Sequence, residues 1–172
     1  PYGAIVALDA HCATLHYQHR DRDTSRRGQA ANLLLDAGCS VGGYASDITR
    51  SYARQDGEFA RMIADLDGLQ QALCAAVGPG VPFPDLHRRC HHDIARLLGA
   101  WGLVRMPPDE MVAAGVTAAF FPHGLGHLLG LQVHDVGGHL ADDEGRILEP
   151  PADFPRLRFL RTLEPGQVVT IE

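Results

Sequence analysis

Two aspartates stand where strands rarely carry them. Asp36 follows the apolar run Leu33-Leu34-Leu35, and Asp47 lies inside Tyr44-Ala45-Ser46-Asp47-Ile48-Thr49, although strand interiors are depleted in aspartate. The segments read as antiparallel strands, Asn32 to Ala37 and Tyr44 to Tyr52, joined through Gly38 and the pair Gly42-Gly43. A reversal about Val41-Gly42 puts Asp36 opposite Asp47, and directly opposed side chains lie about 5 Å apart. Two carboxylates that close repel unless a proton or a cation lies between them. Separate capping or turn roles for the two aspartates are the alternative.

Histidine supplies the second half of the chemistry. Of ten in the chain, three fall in Pro122-His123-Gly124-Leu125-Gly126-His127 and Val133-His134-Asp135, on glycine-rich chain that can approach a ligand closely. Imidazole is the commonest protein metal ligand, and neighbouring rings can bind substrate or shuttle protons. Carboxylates with imidazole suit Mn²⁺, Co²⁺ or Zn²⁺ in a two-ion site better than a thiolate site would. The helical zinc-protease pattern HExxH is absent, because Gly124-Leu125-Gly126 separates His123 from His127.

The elements that must hold these residues read as an α+β order: strands, then two helices, then extended chain. A first hairpin is expected from Gly3–Leu8 and Ala13–Tyr17 around Asp9-Ala10-His11. Phe59, Met62, Ile63, Leu66, Leu69, Leu73, Ala76 and Val77 recur at helical spacing, and Gly78-Pro79-Gly80 stops that helix. A second helix begins near Pro84-Asp85, with Leu86, Cys90, Ile94, Leu97 and Leu98 as its buried stripe. His91 and His92 on it read as solvated, His11, His19 and His87 have no motif around them, and Trp101 reads as core. Residues 99–108 read as loop, and the glycines from Gly124 to Gly138 argue against helix there, each interior glycine costing about 1 kcal/mol relative to alanine. An acidic, proline-containing loop over residues 141–155 precedes a closing strand, Gln167 to Glu172.

Composition removes several classes of function. The 172 residues, 45% hydrophobic, are enough for one domain with one core. All 15 basic residues are arginine, so phosphate loops and Schiff bases that need lysine are excluded. A net charge of −6 argues against nucleic-acid and anionic-membrane partners. No apolar run reaches the roughly 20 residues of a membrane-spanning helix. Cys12, Cys39, Cys74 and Cys90 form no CxxC pair and read as free thiols of a reducing, cytoplasmic compartment. The chain starts at Pro1 and stops within a strand-like run, so it is expected to be a piece of a longer protein.

In sequence order, Leu34-Leu35-Asp36-Ala37-Gly38, Tyr44 to Arg50, His123-Gly124-Leu125-Gly126-His127, Val133-His134-Asp135, Glu164-Pro165-Gly166 and Thr170-Ile171-Glu172 resemble the pita-bread metallopeptidases. The resemblance runs over nearly the whole chain and is strongest to the Xaa-Pro dipeptidases (prolidases), with aminopeptidase P next. It implies a pita-bread fold truncated at both ends, an antiparallel curved sheet covered by helices, with residues 1–172 an incomplete catalytic domain. It also implies two divalent cations, Mn²⁺ first and Co²⁺ or Zn²⁺ otherwise, held by Asp36, Asp47, His127, Glu172 and a fifth ligand beyond residue 172. Asp47 would bridge the ions, and a hydroxide between them would attack the carbonyl before proline, with Glu172 moving the protons. His123 and His134 match contacts to substrate and transition state, His16 another substrate-side histidine, and Tyr2 a weaker contact. Arg158 falls where prolidases place an arginine that grips the dipeptide carboxylate, a bidentate pairing. Its alternative is an ion pair with Asp142-Asp143-Glu144. His139 reads as an outer contact, and Thr49 as a hydrogen-bond partner of a ligand carboxylate. The resemblance further implies an N-terminal domain and a homodimer. The competing readings are an aminopeptidase P or creatinase-like hydrolase and a non-catalytic pita-bread binding module.

Overall fold

The computed structural model of the protein describes residues 3–20, 28–142 and 144–172. Tyr2 lies outside them.

Strands β1 (Ile5–Leu8), β2 (Asn32–Ala37) and β5 (Ile48–Ala53) form an antiparallel sheet in the order β1-β2-β5, and β3 (Ser40–Val41) pairs β4 (Tyr44–Ala45) in a short hairpin. The expected first hairpin is not formed. After β1 the chain enters a 3-10 turn, Asp9–Ala13, and residues 13–17 are not a strand. Asp9 takes a left-handed φ of 50°, and its Oδ1 accepts the amides of Ala31 and Asn32 at 2.8 and 3.1 Å. That clamp hands β1 to β2 instead, pairing Leu8 with Leu33 and Ile5 with Asp36.

Strand β2 runs over the expected residues, whereas the second expected strand is broken at Ser46-Asp47 into β4 and β5. The pairing differs by two positions from the expected one: Asp36 is opposite Thr49 rather than Asp47. Gly42 and Gly43 both have positive φ, 60° and 91°, as a two-residue hairpin turn of the primed type requires. The reversal is therefore centred on Gly42-Gly43 and not on Val41-Gly42. A slip of one residue would have turned Asp47 to the other face; a slip of two does not.

The helices are α1 (Glu58–Ala76), α2 (Phe83–Ala100), α3 (Pro108–Ala113) and α4 (Thr117–Phe120). The first two match expectation; α3, started by Pro107-Pro108, and α4 had no strong periodicity to announce them. The α1 stripe is covered unevenly, with Met62, Ile63 and Leu69 half-buried. Leu73 is buried, while Phe59 and Leu66 are 44% and 47% exposed. Helix α2 lies in the middle of the core, with Phe83, Leu86, Ile94 and Leu98 packed against Met111, Leu157 and Phe159.

His91, expected in solvent, is 2% exposed inside that core, and so is His87. Their Nε2 atoms lie 3.3 Å apart, and His91 Nδ1 is 2.8 Å from Thr117 Oγ1. The rings of Phe121 and Phe154 pack against both. Trp101 packs at the core margin and donates to Asp65 Oδ2 at 2.9 Å.

The closing segment does not form a regular strand. It pairs residue by residue with the histidine segment: Leu129 N donates to Val168 O, Thr170 N to His127 O and Glu172 N to Leu125 O, at 2.9, 2.9 and 2.8 Å. Residues 157–163 are tied to the start of α2 through Leu163 N to Val81 O (2.8 Å) and Phe83 N to Arg161 O (3.1 Å).

Candidate metal centre

Three segments far apart in sequence meet at one point. Ala45 N donates to Gly130 O at 2.8 Å, which fastens the hairpin carrying Asp47 to the segment carrying His127 and His134. The pairing of residues 125–129 with 168–172 then sets Glu172 beside His127. As a result Asp47, His127 and His134 present ligand atoms within 4.8 Å of one another.

His127 is the centre of the group. It is 4% exposed, with Nδ1 2.9 Å from Leu128 O, so that Nδ1 carries the hydrogen and Nε2 faces the site. Nε2 lies 2.9 Å from Glu172 Oε1 and 3.4 Å from Asp47 Oδ2, yet completes a hydrogen bond with neither. A neutral Nε2 lone pair opposed to two anionic oxygens is repulsive, and a proton there has no well-directed acceptor. A cation between nitrogen and oxygens removes the conflict, and neutral imidazole with carboxylates is a donor set for divalent first-row metals. The residues therefore fit such an ion.

The same neighbours shift the titration of the group. Burial alone pushes the His127 ring towards lower pKa, but the anionic Glu172, the Leu128 carbonyl and Asp47 outweigh it and raise the value. Burial pushes Glu172 up, and His127 with the Thr170 hydroxyl more than reverses this, so that it titrates below the usual carboxylate range. Burial, followed by the charges of His127 and Arg158, lowers His134.

Of the other expected residues, His134 packs edge-on against His127 at 4.3 Å and accepts the Arg158 N–H on Nδ1 at 3.3 Å. Arg158 is thus drawn to the site, while Asp142 is held by Arg146 at 3.0 Å. His123 places Nδ1 2.8 Å from Gly124 O and packs against Phe121. Asp36 lies on β2 across from Thr49, outside the tight group. His16 is exposed, with a left-handed φ of 55°, and no contact among the described residues joins it to the group. His139 Nε2 is 3.2 Å from Leu157 O, one residue before Arg158.

Sequence reasoning missed Thr170. Its hydroxyl accepts the His127 amide at 3.0 Å and donates to Glu172 Oε1 at 2.7 Å. Its position two residues before Glu172, on the same side of extended chain, was the available signal.

The sequence pattern of metallopeptidase family M24 matches residues 1–172. The Xaa-Pro dipeptidase of Aeromonas hydrophila is 51% identical over 172 residues, which are 100% of this chain and 39% of that protein. Among solved structures, Pseudomonas aeruginosa aminopeptidase PepP superposes with a TM-score of 0.75 at 30% identity. Zinc-substituted Escherichia coli aminopeptidase P in complex with product does so with 0.74 at 29%. Each superposition covers 99% of this chain and 35% of the other. The chain thus spans about two fifths of the length of the curated relative.

Proposed function

This chain belongs to metallopeptidase family M24 and has its pita-bread fold, and on that premise we propose that the whole protein hydrolyses Xaa-Pro dipeptides with two divalent cations, Mn²⁺ by preference. The observation that carries the reading is the buried His127 Nε2, without a hydrogen bond and turned towards Asp47 and Glu172. Asp36, Asp47, His127 and Glu172 would hold the ions together with a residue beyond Glu172. When bound, such cations make hydroxide available at neutral pH and act as Lewis acids towards the scissile carbonyl.

The chain's own side chains would do the rest. Glu172 Oε1 accepts from Thr170 and faces His127 Nε2 at 2.9 Å, which leaves Oε2 to take a proton and return it to the departing proline nitrogen. Because His134 accepts from Arg158 on Nδ1, the neutral ring carries its hydrogen on Nε2. That N–H can donate to the oxygen on which charge develops. The His123 ring has Nδ1 committed to Gly124 O, so Nε2 is the atom for substrate. Arg158 spends one N–H on His134 and keeps the others of its five for a substrate carboxylate. His16 and Tyr2 are proposed as further substrate contacts. The relative named Xaa-Pro dipeptidase supports the dipeptide reading. A cytoplasmic homodimer is proposed with it, in keeping with four free cysteines and with no described helix long and apolar enough to cross a membrane.

The test is hydrolysis of Gly-Pro against Gly-Pro-Xaa by the intact protein, with and without chelator. Cleavage of Gly-Pro that chelation abolishes upholds the reading. Preference for the longer peptide replaces it with an aminopeptidase P, and no cleavage of either with a binding module.

A further inference from the structure

We infer that Thr170 is a positioning residue for the metal centre, its single hydroxyl locking the ligands His127 and Glu172 to each other. The inference rests on the metal reading above and adds a residue to it.

The pairing of 125–129 with 168–172 is antiparallel, and in such a ladder every second opposed pair, His127 and Thr170 among them, is placed to exchange two backbone hydrogen bonds. At His127 and Thr170 one of the two is made, Thr170 N to His127 O at 2.9 Å. The reciprocal bond is not backbone to backbone. His127 N donates instead to Thr170 Oγ1 at 3.0 Å, and the Thr170 carbonyl is turned against Gly126, where a Cβ would collide with it. The side chain has replaced the carbonyl in the ladder.

That replacement fixes the hydroxyl proton. A hydroxyl has one hydrogen to donate, and with its oxygen accepting from His127 N, the hydrogen is directed to Glu172 Oε1 at 2.7 Å. Accepting it at Oε1 fixes the orientation of the Glu172 carboxyl group relative to His127. Thr170 is 6% exposed, so no solvent molecule takes over either bond unaided. Serine reproduces the arrangement, whereas valine, of nearly the same shape, makes neither bond. Removing groups that orient metal ligands lowers metal affinity about 10- to 100-fold.

The experiment is calorimetric titration of the metal-free, full-length protein with Mn²⁺ alone, for wild type, Thr170→Ser, Thr170→Val and a distant core variant, Leu98→Ala, with melting temperatures of the metal-free forms. Thr170→Val is expected to bind about 10- to 100-fold more weakly, with Thr170→Ser near wild type. The Leu98→Ala variant should melt lower yet keep its affinity. Unchanged affinity in Thr170→Val, or a loss in Leu98→Ala as large as its own, overturns the inference. If Thr170→Val yields no folded protein, Thr170→Ser decides alone: wild-type affinity upholds it and a tenfold loss overturns it. Wild-type protein that binds no Mn²⁺ instead overturns the metal reading, and this inference with it.

Discussion

Acid should unfold this protein from inside helix α2. His87 and His91 are each 2% exposed. Burial, followed by the charge of His91, lowers His87 to about 3, with His123 and Arg88 adding to the effect. Burial, then His92 and His123, lowers His91 to about 4. Below the ordinary histidine value of 6.5, the unfolded chain binds protons that the folded chain refuses. Stability is therefore fully present above pH 6.5 and falls as the pH drops towards 4. Each such proton is worth about 1.4 kcal/mol per pH unit, so between pH 6.5 and 5 each ring removes about 2 kcal/mol and the pair about 4. That is a large share of the 5–15 kcal/mol by which domains are usually stable. The perturbation is His91→Phe, which suits a box already lined by Phe121 and Phe154 and deletes one of the two protons. Urea unfolding of the intact protein from pH 7.5 to 4.5 should show the variant losing stability less steeply than wild type, by about 1.4 kcal/mol per pH unit. Titrating groups remote from His91 are common to both proteins and cancel in the difference, and His87 stays lowered in the variant because burial is its largest cause. Parallel curves would refute the account of a neutral, buried pair.

Three further outcomes are expected. Asp47→Asn in the full-length protein should abolish metal loading and Xaa-Pro cleavage while circular dichroism shows the fold retained; a loaded, active variant would remove Asp47 from the centre. Arg158→Ala should weaken Gly-Pro turnover about 10- to 100-fold, the worth of a charge-assisted hydrogen bond of 1.5–3 kcal/mol, and spare longer peptides; equal losses in kcat/KM on both would refute the carboxylate grip. Gly126→Ala forces a methyl into the Thr170 carbonyl and should destabilise by about 1–3 kcal/mol as an overpacked site, read from the melting temperature. An unchanged melting temperature would refute that close approach.

What could be read in the sequence was what local pattern encodes. Asn32–Ala37 is marked by its apolar run ahead of the glycine turn, both long helices by three- and four-residue spacing, and the end of the first by Gly78-Pro79-Gly80. The partner of β1 was not readable, because it depends on a side-chain clamp from Asp9 to amides 22 and 23 residues away. The hairpin register was written in Gly42-Gly43, the pair able to take two positive φ values, and reading the turn one residue early put Asp36 opposite the wrong residue. At the site, residue types and order pointed to Asp47, His127 and Glu172, but their meeting rests on backbone bonds such as Ala45 to Gly130. His87 and His91 share the helical spacing of Ile94 and Leu98, but polarity was read ahead of spacing, so His91 was expected in solvent and the burial of the pair was missed.

The central claim, that Asp47, His127 and Glu172 surround a cation, is tested most directly by an anomalous-difference map from crystals of the full-length protein loaded with zinc. The account predicts a peak about 2.0–2.2 Å from His127 Nε2 with carboxylate oxygens of Asp47 and Glu172 at similar range. A map with zinc bound elsewhere, and His127 Nε2 hydrogen-bonded to a carboxylate instead, would contradict it.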